Sequence, residues 1–257
     1  MAENNMKLMG KFLSGIEKWK EREIESGANM RIVSEAVKRL YDAFTGNAEQ
    51  LNLNGLELRS LPQEVRYIIT LKDLSVSNNK LSSFPQEVLF LRGLETLDIS
   101  ANKISRIPRE IVNLKNLKAL YANSSQLDYV APEIRDIKTL EDLQLRDNNI
   151  NFFPRVIIDK ASKSLKNIDI KDNPLKDMEY SNKQTKGSRS LDDDLNYFYS
   201  AKGVRQAAAK NGIRLEYGSS EIQSSLAAIT GIGVKQGDKT SISRISSINS
   251  LSTICEN

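Results

Sequence analysis

Histidine is absent from the 257 residues. That excludes any mechanism built on an imidazole, from Ser-His-Asp hydrolysis to histidine-liganded zinc. A single cysteine, Cys255, stands third from the end. It permits no intrachain disulfide, so a disulfide-stapled secreted domain is excluded. No apolar run reaches the about 18 residues that a membrane helix needs, so no membrane span is expected. The opening MAENNMKLMGKFLSG has no long apolar stretch and no small-residue cleavage site. It does not read as a cleavable signal peptide. Phosphate-cradling GxxxxGK[ST] and GxGxxG loops and a CxxC pair are also missing. No cofactor, no metal and no enzymatic activity are expected. Asp192, Asp193 and Asp194 fall at a predicted helix start, where the helix dipole favours acids, and read as that rather than as a metal cluster. Aromatic residues make up only 6 %, so a core has to be built from leucine and isoleucine. The net charge of +4 is small, and where the charges lie says more than their sum.

What the chain has is a period. Blocks open at Ala48, Leu71, Leu94, Leu117, Leu140 and Leu165, 23 residues apart except for a last step of 25. Apolar residues recur at offsets 0, +3, +5, +10, +13, +17 and +20, as in Leu94, Leu97, Ile99, Ile104, Ile107, Ile111 and Leu114. Offset +8 is Asn79, Asn102, Asn148 and Asn173 in four blocks, but Leu56 in the first and Ser125 in the fourth. Offset +14 is Pro62, Pro85, Pro108 and Pro154, with Pro132 one position late in the fourth block. Each block reads as a short strand whose alternate residues point inward and stack on the next block. The asparagine amide can bond backbone that would otherwise be unpaired, and proline ends the strand by fixing φ. Amphipathic helices also space leucines by three and four, but they do not hold Asn and Pro in register over successive periods.

This LxxLxLxxNxL pattern followed by LPxxVxxLxx resembles the leucine-rich-repeat family over residues 48–178. The 23-residue LPxxV unit is similar to the subclass found in Ras-signalling scaffolds, plant intracellular repeat proteins and many bacterial proteins. The resemblance implies an α/β solenoid, a curved leucine-rich-repeat array of about six repeats.

A stack of coils exposes an apolar cross-section at each end, so caps are required. Residues 1–47 carry two helical patterns: Met9, Phe12, Leu13, Ile16 and Trp19 on one face, then Met30, Val33, Ala36, Val37, Leu40 and Phe44 on another. Ser26-Gly27 separates them and Gly46 ends the second, which predicts a helical-hairpin cap. Trp19, Glu21-Arg22, Ala36-Val37, Arg39-Leu40, Asp42 and the LxLxxLxLxxLP run at Leu51–Pro62 resemble the start of secreted bacterial effectors of the YopM and IpaH type. Repeats of the YopM type are mostly shorter. The long ubiquitin-ligase domain of the IpaH type has no counterpart here, so its activity is not carried over. Residues 179–217 are expected to form a C-terminal cap, with a helix over 191–211 that places Leu195, Phe198 and Tyr199 on the last coil. Lys202, Arg205, Lys210 and Arg214 would form its solvated basic face. Residues 218–257 are rich in Ser, Gly, Ile and Thr and read as a largely disordered tail.

Strand alternation predicts which residues line the concave sheet: offsets +2, +4, +6 and +7. The acids there are Asp73, Asp98, Asp142, Asp147, Asp169 and Asp172, and the bases are Arg146 and Lys171. Six acids against two bases leave this face at −4 within a chain of +4. Such a surface repels phosphates and favours a basic protein surface or peptide, so no nucleic-acid partner is expected. Polar residues that merely keep an exposed sheet soluble would read the same way. Tyr121 is the face's only aromatic residue, with Asp98, Asp142 and Arg146 the best candidates for a binding hot spot around it. Gln144, Asp73 and Asp169 complete the candidate site. The expected function is protein–protein interaction by a monomer. The foremost reading is a bacterial effector that binds a host protein, cytoplasmic or exported by a non-classical secretion system. An intracellular signalling scaffold of the Ras-linked kind is the alternative, with a ubiquitin ligase using Cys255 a distant third.

Overall fold

The structure, a computed structural model, describes residues 2–154, 156–159, 164–175 and 208–216. Two helices open the chain, α1 (Ala2–Glu25) and α2 (Met30–Thr45). Gly27, at φ +85°, turns the chain between them, a backbone region where only glycine is free of strain. Asn29 caps α2, its side chain accepting from the Arg31 N–H at 2.9 Å. Phe12, Ile16 and Trp19 of α1 and Val33, Ala36, Leu40 and Ala43 of α2 are buried, and Phe12 stacks on Phe44 at 4.0 Å. The predicted stripes are too broad. Leu13, about 100° around the helix from Phe12, is 45 % exposed, and Met30, in the first turn, is 63 % exposed.

One acid that the sequence reading passed over fixes this cap to the array. Glu23 is buried, and its carboxylate accepts from the Arg59 N–H (3.0 Å), the Ser60 N–H (3.0 Å) and the Ser60 hydroxyl (2.7 Å). Trp19 Nε1 donates to the Ser60 carbonyl at 3.2 Å. Backbone that turns away from the first strand thereby finds its partners on α1.

The repeats form one parallel sheet in sequence order: β1 (Gln50–Asn52), β2 (Asp73–Ser75), β3 (Thr96–Asp98), β4 (Ala119–Tyr121), β5 (Asp142–Gln144), β6 (Asn167–Asp169) and β7 (Arg214–Glu216). The middle residue of each, such as Leu74, Leu97, Leu120 and Leu143, stacks in register on the next. The return path of the first four coils is a 3-10 turn: Gln63–Tyr67, Gln86–Phe90, Arg109–Asn113 and Pro132–Asp136. All four start at offset +15. Proline caps the first three and is itself the first residue of the fourth, because both positions suit its fixed φ. The fifth return path carries α3 (Val156–Asp159).

The asparagines act as expected. Asn148 Oδ1 accepts from the N–H groups of Ser125 (3.0 Å) and Leu127 (2.9 Å) in the preceding coil. Its Nδ2 donates to the carbonyls of Ala122 (2.8 Å), Leu145 (2.9 Å) and Arg146 (3.1 Å). Asn79 makes the same set of bonds. Ser125 copies only part of the donating side, its single O–H in reach of the carbonyls of Ile99 (3.0 Å) and Asn123 (3.1 Å). The two coils without the asparagine differ in the next residue as well: Glu57 and Gln126 have φ of 51° and 65°. Offset +7 is left-handed in all six coils, at Gly55, Asn78, Ala101, Ser124, Asp147 and Asp172.

The seventh strand was not foreseen. β7 pairs with β6 in the register Asn167↔Arg214, a step of 47 residues in place of 23. Residues 208–210 are helical, Gly212 turns the chain at φ +67°, and Arg214 lies on a strand rather than on a helix face. The remainder of the expected helix over 191–211, Leu195, Phe198 and Tyr199 with it, lies outside the described residues. So does the tail, 218–257.

Candidate functional site: the open face of the sheet

Strands β1 to β6 bury their middle side chain, Leu215 of β7 is partly buried, and the flanking two turn to the other face, where they are half-buried in β2 to β6. Register places these residues in two rows across the sheet. One runs Gln50, Asp73, Thr96, Ala119, Asp142, Asn167, Arg214, and the other Asn52, Ser75, Asp98, Tyr121, Gln144, Asp169, Glu216. Tyr121 therefore sits between Asp98 and Gln144 in its own row, with Asp142 diagonal to it. Asp73 lies two strands away and Asp169 beyond Gln144.

Hydrogen bonds fix most of these side chains. Asp98 accepts from the Ser100 N–H and the Ser75 hydroxyl, both at 3.0 Å. Asp73 accepts from Gln50 Nε2 at 3.1 Å, and Asp142 from Gln144 Nε2 at 2.5 Å. Asp169 Oδ1 accepts from the Lys171 N–H at 2.9 Å. Asp147 accepts from the Ser124 hydroxyl at 2.8 Å. Burial pushes the Tyr121 phenol above its usual range, and the carboxylates of Asp142 and Asp98 push it the same way. Asp169 is also raised, chiefly by burial, against the opposing Lys171 N–H bond and charge.

The bases behave differently from the sequence expectation. Arg146 lies past the end of β5, and its Nε meets Asp172 at 3.0 Å. Lys171 pairs with Glu216, which Arg214 also meets at 2.9 Å. The hydrogen bond from Lys171 is the main reason the Glu216 carboxyl lies below its usual range. Arg146 is therefore spoken for within the chain and is not brought to Tyr121 as a free cation. Among the described residues, no ion pair engages Asp73, Asp98, Asp142 or Asp147.

The adjoining edge of the sheet shows the opposite pattern. Offset +1 alternates in sign from coil to coil: Glu49, Lys72, Glu95, Lys118, Glu141, Lys166. Three pairs close at 2.7, 2.5 and 2.5 Å. Between pairs, Lys72 also feels Glu95, and Lys118 feels Glu141. This ladder was legible at offset +1 and was missed, as were Arg214 and Glu216, which reach the face only through β7. Acids at the edge are thus neutralised in place, and those around Tyr121 are not.

Among the described residues no helix is long and apolar enough to cross a membrane, and no group of three or more acidic or cysteine side chains is set to hold a metal ion.

No curated protein matches the chain. Of solved structures, a leucine-rich-repeat protein of Leptospira interrogans is 26 % identical over 55 % of this chain and 42 % of its own, with a TM-score of 0.46. An internalin of Listeria monocytogenes is 20 % identical over 45 % of this chain and 32 % of its own, with a TM-score of 0.40. The chain thus spans less than half the length of either protein. A family profile described as a leucine-rich repeat region matches residues 51–168. With its in-register coils, asparagine ladder and 3-10 returns, that segment is a leucine-rich repeat solenoid, a kind of domain that generally serves to bind other proteins.

Proposed function

We propose that the chain binds a protein partner through the open face of its sheet, with Tyr121, Asp98 and Asp142 as the anchor and Gln144, Asp73, Asp169 and Arg146 around it. The observation that carries this reading is the set of carboxylates that, among the described residues, pair with no cation around the face's one aromatic side chain, on a molecule that pairs its acids along the neighbouring edge. A surface of that kind favours a basic partner and sets orientation and encounter rate as much as affinity. Tyrosine at the centre of a contact typically contributes about 2 kcal/mol or more on truncation, roughly a 30-fold loss of affinity. The test is a pull-down with the native chain, with Tyr121→Ala, and with the double variant Tyr121→Ala, Arg146→Ala. Loss of one specific protein with both variants is expected; identical recovery by all three refutes the assignment.

We also propose that the partner is a host protein and the chain an exported bacterial effector. Support comes from the cap: a helical hairpin holding Trp19 and running into the LxLxxLxLxxLP segment at Leu51–Pro62. A secretion assay with and without residues 1–47 tests it, and absence of export under every inducing condition would remove it.

A further inference from the structure

Ala119 is the shortest side chain in either row. It lies between Thr96 and Asp142 in its own row and two residues before Tyr121 on the same strand, so side-chain height is least there, a notch in the row beside the tyrosine. Strands about 4.8 Å apart, rising about 3.3 Å per residue, put the Cα atoms of Asp98 and Asp142 roughly 12 Å from each other, one on each side of that notch. Both carboxylates are near enough to the Tyr121 phenol to oppose its ionisation.

We propose that this notch is a receptor for one arginine side chain of the partner, the guanidinium lying over Ala119 against the Tyr121 ring between the carboxylates of Asp98 and Asp142. The inference rests on the binding-face reading above and specifies the chemistry of its anchor. Charge complementarity selects a cation. Two features select arginine over lysine. A flat guanidinium stacks on a tyrosine ring while its edge donors reach carboxylates on both sides. An ammonium is a compact, strongly hydrated point charge that can satisfy one carboxylate but not span two. The carboxylates are held ready for this: Asp98 is oriented by Ser75 and Ser100, and Asp142 by Gln144. Each of these bonds leaves lone pairs on the carboxylate for a further donor. The two cations that strand alternation assigned to this face are pinned elsewhere, Arg146 on Asp172 and Lys171 on Glu216. An arginine seated here would leave the rest of the partner's segment to lie along the two rows, where Asn, Gln, Ser and Thr offer hydrogen bonds and Asp73 a further carboxylate.

The probe is blocked arginine, N-acetyl-arginine methylamide, titrated into the full chain and followed by amide NMR, with the lysine and citrulline analogues as controls. Saturable shifts confined to Asp98, Ala119, Tyr121 and Asp142 are expected with arginine. Lysine should bind about tenfold more weakly, and neutral citrulline should not bind. Ala119→Leu, which fills the notch without changing charge, and Asp98→Asn with Asp142→Asn, which removes charge without changing shape, should each abolish the response. Equal response to lysine, shifts scattered over surface carboxylates, or binding that survives Ala119→Leu would overturn the receptor. If Tyr121→Ala loses the partner while the arginine probe shows no site, the binding face stands and this inference alone falls. If the probe binds and the partner is retained, the site is real and the partner assignment is the part in error.

Discussion

Replacing Asn148 by alanine is expected to cost about 4 kcal/mol. Five hydrogen bonds converge on the amide, two received from N–H groups of the preceding coil and three donated to carbonyls. A net value of about 1 kcal/mol each gives roughly 5, and some of the stranded carbonyls have other partners. The two N–H groups do not recover, because Ser125 and Leu127 are fully buried and water cannot replace the oxygen. Asn148→Ser is the informative comparison. Ser125 shows what a hydroxyl does at this offset: it reaches the two carbonyls at 3.0 and 3.1 Å. A hydroxyl has one hydrogen to share between them, so serine at 148 should keep one donated bond and lose the accepted ones, for a cost of about 3 kcal/mol. The reciprocal change, Ser125→Asn, offers an acceptor to the coil before it and should raise stability by up to about 1 kcal/mol, provided Gln126 gives up its left-handed φ. Urea unfolding followed by circular dichroism reads all three, with the m-value checked for constancy because repeat arrays can lose cooperativity. A loss under about 1 kcal/mol for Asn148→Ala, or no difference between serine and alanine, would refute the asparagine ladder as a source of stability.

Glu23→Gln places an amide N–H₂ against backbone donors, and should loosen the cap by about 2 kcal/mol. Trp19 is the only tryptophan and is fully buried, so its fluorescence should red-shift at lower urea than the loss of sheet signal; coincident transitions would show that the carboxylate is not needed to hold the cap. Ala101 sits at φ 52° without a polar side chain to compensate, and Ala101→Gly should stabilise by about 0.5 to 1 kcal/mol, seen as a higher Tm, with a smaller gain for Asn78→Gly. Because the folded-state phenol of Tyr121 is raised, its contribution to stability is whole below the ordinary tyrosine pKa and is lost as pH climbs through the folded value. Asp142→Asn should lower that folded value without restoring the ordinary one, since burial is the larger cause; a tyrosine carbon NMR titration in which it stays put or rises contradicts the placement of Asp142 beside the ring.

The solenoid was legible because its constraint is periodic. A residue such as Leu97 has to meet Leu74 and Leu120 at one register, so the same residue types return every 23 positions. The two rows of the open face followed from strand alternation alone, and the neighbourhood of Tyr121, Asp98 and Asp142 came with them. What escaped depended on contacts without a period. Glu23 lies in the highly charged run KEREIE, where an acid reads as solvated surface, and only the docking of α1 on Arg59 and Ser60 buries it. β7 offers one alternation, Arg214-Leu215-Glu216, with no asparagine and a register step of 47 residues. The pairing of Arg146 with Asp172 requires knowing which side chains meet across neighbouring coils, which charge counting over the face does not tell. Counted as charges they lean the face acidic; counted as pairs they leave the negative field centred near β3 to β5.

The Glu49–Lys72–Glu95–Lys118–Glu141–Lys166 edge also has a parity. Excising one coil would bring two like signs face to face at the splice, whereas excising two would restore the alternation. Lengthening or shortening of this array, by recombination or by engineering, should therefore be tolerated best in steps of two coils, so that an exposed feature of small energetic weight constrains how many repeats the protein can carry.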